Sequence, residues 1–217
     1  MPVPKKPAST SGSRERIVAA ATEQFARRGY EATSTRALAE AVGLNIATIA
    51  YHVGSKADLY REVMRAAHTA QRDAVTTALT DLAACAPTPE ATRQGLYDFV
   101  DAYLDFCLTH PEVPALWMRR WLDDGEDLVP IEQEFAGPLV AAVAEHVGAV
   151  LARAGLADDV DLEMVLYSIV WATHSFSRAG FIDSSGTRQR ASSIAMTDRF
   201  RRHLHQIVDG AVRPAVR

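Results

Sequence analysis

The stretch at residues 35–53, TRALAEAVGLNIATIAYHV, constrains this chain more than any other. Apolar Leu38, Val42, Leu44 and Ile49 fall at helical spacing on either side of Gly43. Two short helices that cross steeply need a small residue where their axes approach, and Ala39 fits that place. The turn between them needs a residue at ease with positive φ, and Gly43 fits that one. Asn45 is placed to cap the second helix. The pattern predicts helices over 35–42 and from 46 to about 52, a helix-turn-helix whose second helix would enter the major groove of duplex DNA. On that helix Ile46 and Ile49 are expected to face inward, leaving Ala47, Thr48, Tyr51 and His52 outward.

Chemistry suggests roles for these residues. The Thr48 hydroxyl can hydrogen-bond base edges, and Ala47 and the Thr48 methyl can touch a thymine methyl. Tyr51 and His52, at the far end, are suited to phosphates. Thr33, Ser34 and Arg36 stand at the start of one helix and Lys56 at the start of another, where free N–H groups and the positive dipole end favour a phosphate. Asn45 completes the candidate DNA-binding set. The plainer alternative is a packed helical hairpin with a charged surface.

The remaining pattern is helical throughout. Ile17, Ala21 and Phe25 recur every fourth residue, predicting a helix from about 13 to 28 that stops at Gly29. Ser55 is a good N-cap for a long helix over 56–84. Further helices are predicted from Leu96 to near His110, over 113–122, from Pro130 to Ala154, over 158–179, and around Met196, Phe200, Leu204 and Ile207. Gly137-Pro138 should kink or split the one that begins at Pro130. Residues 180–189 read as a polar loop, and no strand is expected. The expected division is a disordered basic arm at 1–13, a DNA-binding domain at 14–60 and a helical body at 61–217.

Charge follows the same division. The chain carries a formal charge of −4, yet residues 1–65 hold ten Lys and Arg against six acids, and the rest thirteen against twenty-one. A basic head on an acidic body suits a protein that offers one end to a polyanion. No apolar run approaches the ~18 residues of a membrane span, and residues 1–13 lack the apolar segment of a secretory signal, so a soluble, cytoplasmic protein without a membrane partner is expected. Cys85 and Cys107 sit apart from any metal-ligand or redox spacing. The acidic run at 123–127 lacks the spaced ligand order of a calcium loop. Phosphate loops, nucleophile elbows and zinc motifs are missing too. No catalytic residue, metal or cofactor is expected.

Taken in order, Phe25, Gly29-Tyr30, Ala32-Thr33-Ser34, Leu38-Ala39, Ala41-Val42-Gly43-Leu44, Tyr51-His52 and Ser55-Lys56-Asp58-Leu59 give a head that resembles the DNA-binding domain of the TetR family of bacterial transcriptional regulators. The likeness covers residues 14–59, about a fifth of the chain. Asn45 stands where Ser is commoner, Ala47 where Gly is frequent and Val53 where Phe is usual. The resemblance implies an all-α fold: a three-helix helix-turn-helix domain joined by a long helix to a C-terminal ligand-binding and dimerisation domain that pairs through its last two long helices. It also implies a repressor released from a palindromic operator by a small, largely apolar effector. An activator of the same build is one alternative, and a helical ligand-binding protein or enzyme with a vestigial head is another.

Within the body, the helix at 158–179 is apolar on two sides. Leu162, Val165, Leu166, Ile169, Thr173 and Phe176 share one sector, while Met164, Tyr167, Trp171 and His174 lie nearly opposite. A helix apolar on both sides must be covered twice, and a homodimer would bury the surplus. The first sector, with Met196, Phe200, Leu204 and Ile207 of the last helix, is the expected dimer interface. Tyr103, Phe106, His110, Trp117, Trp121, Phe135, Tyr167, Trp171 and His174 are the candidate ligand contacts, since apolar walls with a few polar anchors describe a small-molecule site. They describe an ordinary aromatic core equally well. Expected partners are thus a double-stranded DNA operator, a second copy and a small-molecule effector.

Overall fold

A computed structural model of the chain describes residues 10–122, 130–156 and 160–212. They form helices α1 (Thr10–Arg28), α2 (Thr35–Val42), α3 (Ile46–Val53), α4 (Lys56–Ala83), α5 (Pro89–Thr109), α6 (Glu112–Trp121), α7 (Gly137–Arg153), α8 (Leu162–Ala179) and α9 (Ile194–Ala211). A π-helical turn at Glu132–Ala136 leads into α7, and strands β1 (Phe181–Ile182) and β2 (Arg188–Gln189) pair antiparallel between α8 and α9. The protein is all-α apart from this ladder.

Local chemistry accounts for the helix ends of the head. Ser34 Oγ accepts the Ala37 N–H at 3.1 Å and Asn45 Oδ1 the Thr48 N–H at 2.8 Å. Ser55 and Asp58 form a reciprocal capping box, with the Asp58 N–H donating to Ser55 Oγ and the Ser55 N–H donating to the Asp58 carboxylate. The Ser55 hydroxyl, then its backbone N–H, hold the Asp58 pKa below the ordinary carboxylate value. Gly43 closes α2 in the left-handed region at φ 69°, and the Leu44 N–H donates to Ala39 O at 3.0 Å. Gly54, at φ 71°, has a second constraint: a Cβ there would stand 2.8 Å from an Asp58 carboxylate oxygen.

Ile17, Ala21 and Phe25 are fully buried beneath α2 and α3. Phe25 meets Tyr60 edge-on at 5.1 Å between centroids, and Tyr30 meets Tyr60 at 5.0 Å. Leu59, Tyr60, Val63 and Met64 carry α4 through this head core, and Val75, Leu79 and Leu82 carry the same helix into the body. One apolar core therefore runs through both regions.

A second tie crosses the boundary. On α6, Arg119 donates to Ala26 O at 3.1 Å and to Arg27 O, two carbonyls at the open end of α1. Beside it, buried Arg120 forms a fork with Glu132 at 2.6 and 3.0 Å, which lowers the Glu132 pKa. Glu134, in the same π turn, pairs with Arg61 of α4.

Several sequence expectations change. Residues 10–13 are helical, so the expected arm loses its last four residues to α1, and its residues 1–9 lie outside those described. The predicted loop at 180–189 contains the β ladder, whose two-residue strands are too short to show alternation. α8 starts at Leu162, with Asp161 Oδ1 taking the Met164 N–H at 3.1 Å. The predicted break at Gly137-Pro138 takes the form of the π turn: the Gly137 N–H reaches Glu132 O, five residues back, just before a proline that has no N–H to give. The acidic run at 123–127 lies outside the described residues. Glu132–Arg153 contains an 18-residue window with a mean hydropathy of 1.6, long and apolar enough by composition to cross a membrane. The expectation that no stretch approaches span length is thus corrected, although Val143, Val147, Val150 and Leu151 turn into the bundle.

Candidate nucleic-acid interface and effector cavity

α3 presents Asn45, Ala47 and Tyr51 to solvent, Tyr51 at 81% exposure, with Thr48 and His52 half-buried. The Thr48 hydroxyl donates to Asn45 Oδ1 at 2.9 Å, so the cap and the candidate base contact share one hydrogen-bonded unit. Tyr51 and His52 rings lie edge to face at 5.4 Å. Ile46, expected inside, is 50% exposed and enlarges the apolar part of this surface. It sits at the first turn of a two-turn helix, where Ile49 and Val53 are the residues that reach the core.

Around α3, Ser34 and Arg36 are exposed at the start of α2. Lys56 stands in the first turn of α4 with Nζ 4.0 Å from the Tyr30 ring centroid, a cation–π contact that holds the ammonium at the surface. Thr33 departs from its expected role. It is 1% exposed, and its hydroxyl donates to Gly29 O at 2.7 Å, bracing the α1–α2 corner. Its side chain is not available to a phosphate. Several cations of the basic head are already paired: Arg14 with Glu62, Arg27 with Glu23 and Arg36 with Glu40. Exposed pairs of this kind contribute little and exchange readily. Arg16, which sequence reasoning did not single out, donates to Val42 O at 2.8 Å and ties α1 to the end of α2.

The body holds a partly open cavity of about 130 Å³ between α4, α5, α6, α7 and α8, with the end of α9 on one side. Of the candidate ligand contacts, Tyr103, Trp117 and Trp121 line it. Phe106 and His110 stack on each other at 4.6 Å away from the lining. Phe135 lies one layer back, stacked at 5.1 Å on His68, which does line it. His174 is fully buried behind Tyr103, its Nε2 2.7 Å from the tyrosine oxygen, and Gln71 Nε2 donates to the same oxygen at 3.0 Å. Desolvation pushes the His174 pKa down to about 4 and the Cys107 thiol up to about 12. Tyr167 and Trp171 lie on the other side of α8, outside the cavity. Sequence reasoning missed the aliphatic wall, Val143 and Val147 among it, because such residues look the same in any core.

The residues of the expected dimer face have contacts within their own chain. Leu162, Val165, Leu166 and Ile169 line the cavity, and Thr173 and Phe176 are buried beyond it. Phe176 stacks on Phe200 at 4.1 Å, Leu204 is fully buried, and Met196 and Ile207 pack against the same core. Of these ten residues, Ile169, Thr173, Phe176 and Leu204 are buried and the other six are half-buried. The opposite sector of α8 is the open one, with Met164 and Tyr167 exposed, the latter at 58%. From it a stack of rings runs inward: Tyr167 to Trp171 at 6.2 Å, Trp171 to Trp121 at 5.8 Å and Trp121 to His174 at 5.3 Å. Among the described residues no group of three or more His, Cys, Asp or Glu is placed to hold a metal ion.

An exposed second helix of a helix-turn-helix, on a helical body with an apolar cavity, defines the class of a DNA-binding regulator. Residues 17–63 match the model for bacterial regulatory proteins of the tetR family. The TetR family transcriptional regulator PfmR from Thermus thermophilus aligns with 99% of this chain and 100% of its own, at 22% identity and a TM-score of 0.63. The ketosteroid transcriptional regulator KstR2 of Mycobacterium tuberculosis aligns over 93% and 95%, at 17% identity and 0.62. A transcriptional regulator from Saccharomonospora viridis, solved in complex with choline, aligns over 93% and 98%, at 21% identity and 0.64. No curated protein matches the chain by sequence. The head is a tetR-family DNA-binding domain, and the chain as a whole has the fold of TetR-family transcriptional regulators.

Proposed function

We propose that this protein is a cytoplasmic transcriptional repressor that binds a palindromic operator as a homodimer and leaves it when a small, largely apolar effector fills the cavity. The observation that carries this is the double role of α6: Trp117 and Trp121 wall the cavity while Arg119, between them, grips the end of α1. An occupant that displaces α6 acts on the head through that grip as well as through α4. KstR2 as a ketosteroid regulator and the S. viridis protein with its choline support a small-molecule effector by analogy.

Two copies pair through the open sector of α8, around Met164, Tyr167 and Trp171, together with the outer side of α9. Among the described residues Met164 and Tyr167 of that apolar surface are exposed, and a twofold pairing buries it against itself. Base contacts come from Ala47 and Thr48, with Asn45 ordering the helix start. Ser34, Arg36, Tyr51, His52 and Lys56 hold phosphates. Paired heads present the two α3 helices about one DNA turn, ~34–36 Å, or a longer register apart. Driving such a switch from 1:99 to 99:1 takes ~5.5 kcal/mol of differential affinity, within reach of a buried apolar ligand.

The test is selection of genomic fragments by the purified protein, followed by mobility shifts on those enriched. Fragments sharing an inverted repeat, bound by a dimer, are expected. A protein that sediments as a single subunit and ignores duplex DNA at low salt overturns the proposal. A reporter driven by the recovered operator gives the sign of regulation: repression in the absence of effector supports the proposal, and effector-dependent activation refutes that part.

A further inference from the structure

The residues lining the cavity are aliphatic and aromatic, and those that carry polar side-chain atoms are His68 and Gln71 of α4, Tyr103 of α5 and Trp117 and Trp121 of α6. Gln71 and Tyr103 are bonded to each other, and Tyr103 to His174. Trp117 and His68 differ. Trp117 is 2% exposed and His68 8%, and neither Trp117 Nε1 nor His68 Nδ1 has a hydrogen-bond partner. Buried polar groups in folded proteins are nearly always paired, so an unpaired N–H on a cavity wall calls for an explanation.

Three features of the wall narrow what could pair with it. Indole is donor-only, so whatever meets Trp117 Nε1 must be an acceptor. No Asp, Glu, Lys or Arg is among the described lining residues, and burial, reinforced by Arg72, lowers the His68 pKa and keeps its ring neutral. An ionised ligand would therefore lose its hydration without a counter-charge. Finally, an apolar cavity of ~150 Å³ holds one benzene, so about 130 Å³ accommodates roughly one six-membered ring.

We infer that the effector is a neutral, compact, largely apolar molecule bearing one carbonyl oxygen, which accepts the Trp117 N–H while its hydrocarbon part lies against Val143, Val147 and Ile169. This rests on the cavity being the effector site, as proposed above.

The test is calorimetric titration of the full-length protein at pH 7.5 with cyclohexanone, methylcyclohexane and cyclohexanecarboxylate. The carboxylate is expected to bind at least tenfold more weakly than the ketone. In Trp117→Phe, cyclohexanone affinity falls about tenfold while methylcyclohexane stays within about twofold, which also shows that the variant's cavity is intact. Independently of any variant, the infrared carbonyl band of bound cyclohexanone shifts below its position in hydrocarbon solvent. Equal binding of carboxylate and ketone, a Phe variant that treats ketone and hydrocarbon alike, an unshifted carbonyl band, or no binding of cyclohexanone at all overturns the inference. Mobility shifts separate it from the functional proposal. Cyclohexanone that binds with the expected selectivity yet never alters DNA affinity refutes the regulatory reading alone. Release of DNA by all three probes alike refutes the ligand chemistry alone.

Discussion

His174 should make this protein acid-sensitive by a predictable amount. The imidazole is fully buried, bonded through Nε2 to Tyr103 and stacked on Trp121 at 5.3 Å. Desolvation lowers its pKa from 6.5 to about 4. A depressed histidine pKa means that the folded protein resists a proton which the unfolded chain accepts. Stability from the neutral ring is therefore complete above pH 6.5 and is lost progressively as the pH falls toward 4. A gap of that size corresponds to about 3 kcal/mol, or roughly 6–12 °C in Tm for a chain of this length. Urea unfolding of the native protein and of His174→Gln at pH 7.5, 6.5, 5.5 and 4.5 tests it. Protein concentration must be held constant, because the proposed dimerisation would contribute to apparent stability. Carboxylates titrate in both proteins, so the difference between the two profiles isolates His174. The native protein should lose about 2–3 kcal/mol more than the variant between pH 7.5 and 4.5. Parallel profiles would refute the assignment of a neutral, desolvated imidazole.

Lys56→Ala should weaken binding to operator and random DNA alike and make the salt slope shallower by about one, as expected for a single phosphate contact; a loss confined to certain bases would contradict that role. Thr48→Val should change the motif recovered from selected fragments, and an unaltered motif removes Thr48 from the base contacts. Arg119→Ala should lower Tm by about 2–4 °C, the effect of ~1 kcal/mol in a domain of this size, and speed amide exchange at the end of α1; unchanged exchange there means the grip is incidental. Tyr167→Glu should shift the protein toward monomer in sedimentation, and a persistent dimer moves the interface elsewhere.

The head is legible in the sequence because its determinants are local. Ser34, Asn45 and Ser55 each take an N–H three residues ahead, and Gly43 and Gly54 occupy turns that other residues resist, so the helix limits follow within a residue or so. Face assignment in the body is not legible in the same way. α8 is apolar on two sides, and the choice between Leu162–Ile169 spacing and Met164–Tyr167 spacing is made by α5, α6 and α7, which are remote in sequence. Aromatic residues suggest a lining, yet the slimmer aliphatic side packs inward and leaves Tyr167 outside. Ile46 shows the same limit on a smaller scale: in a helix of eight residues, periodicity cannot separate a core position from its edge. Thr33 escapes sequence reasoning because position at a helix start says nothing about whether a side chain turns inward to a neighbouring carbonyl.

No residue lining the cavity comes from α1, α2 or α3. Under the proposed function, sensing and addressing thus occupy separate side chains, linked by shared scaffolding. Substitutions among the valines of α7 can change which molecule the protein answers to without altering the promoter it visits, and changes along α3 can redirect it while the inducer stays the same. Duplicated copies of such a gene can diverge along either axis independently, and an engineer can retune the sensor without redesigning its target sequence.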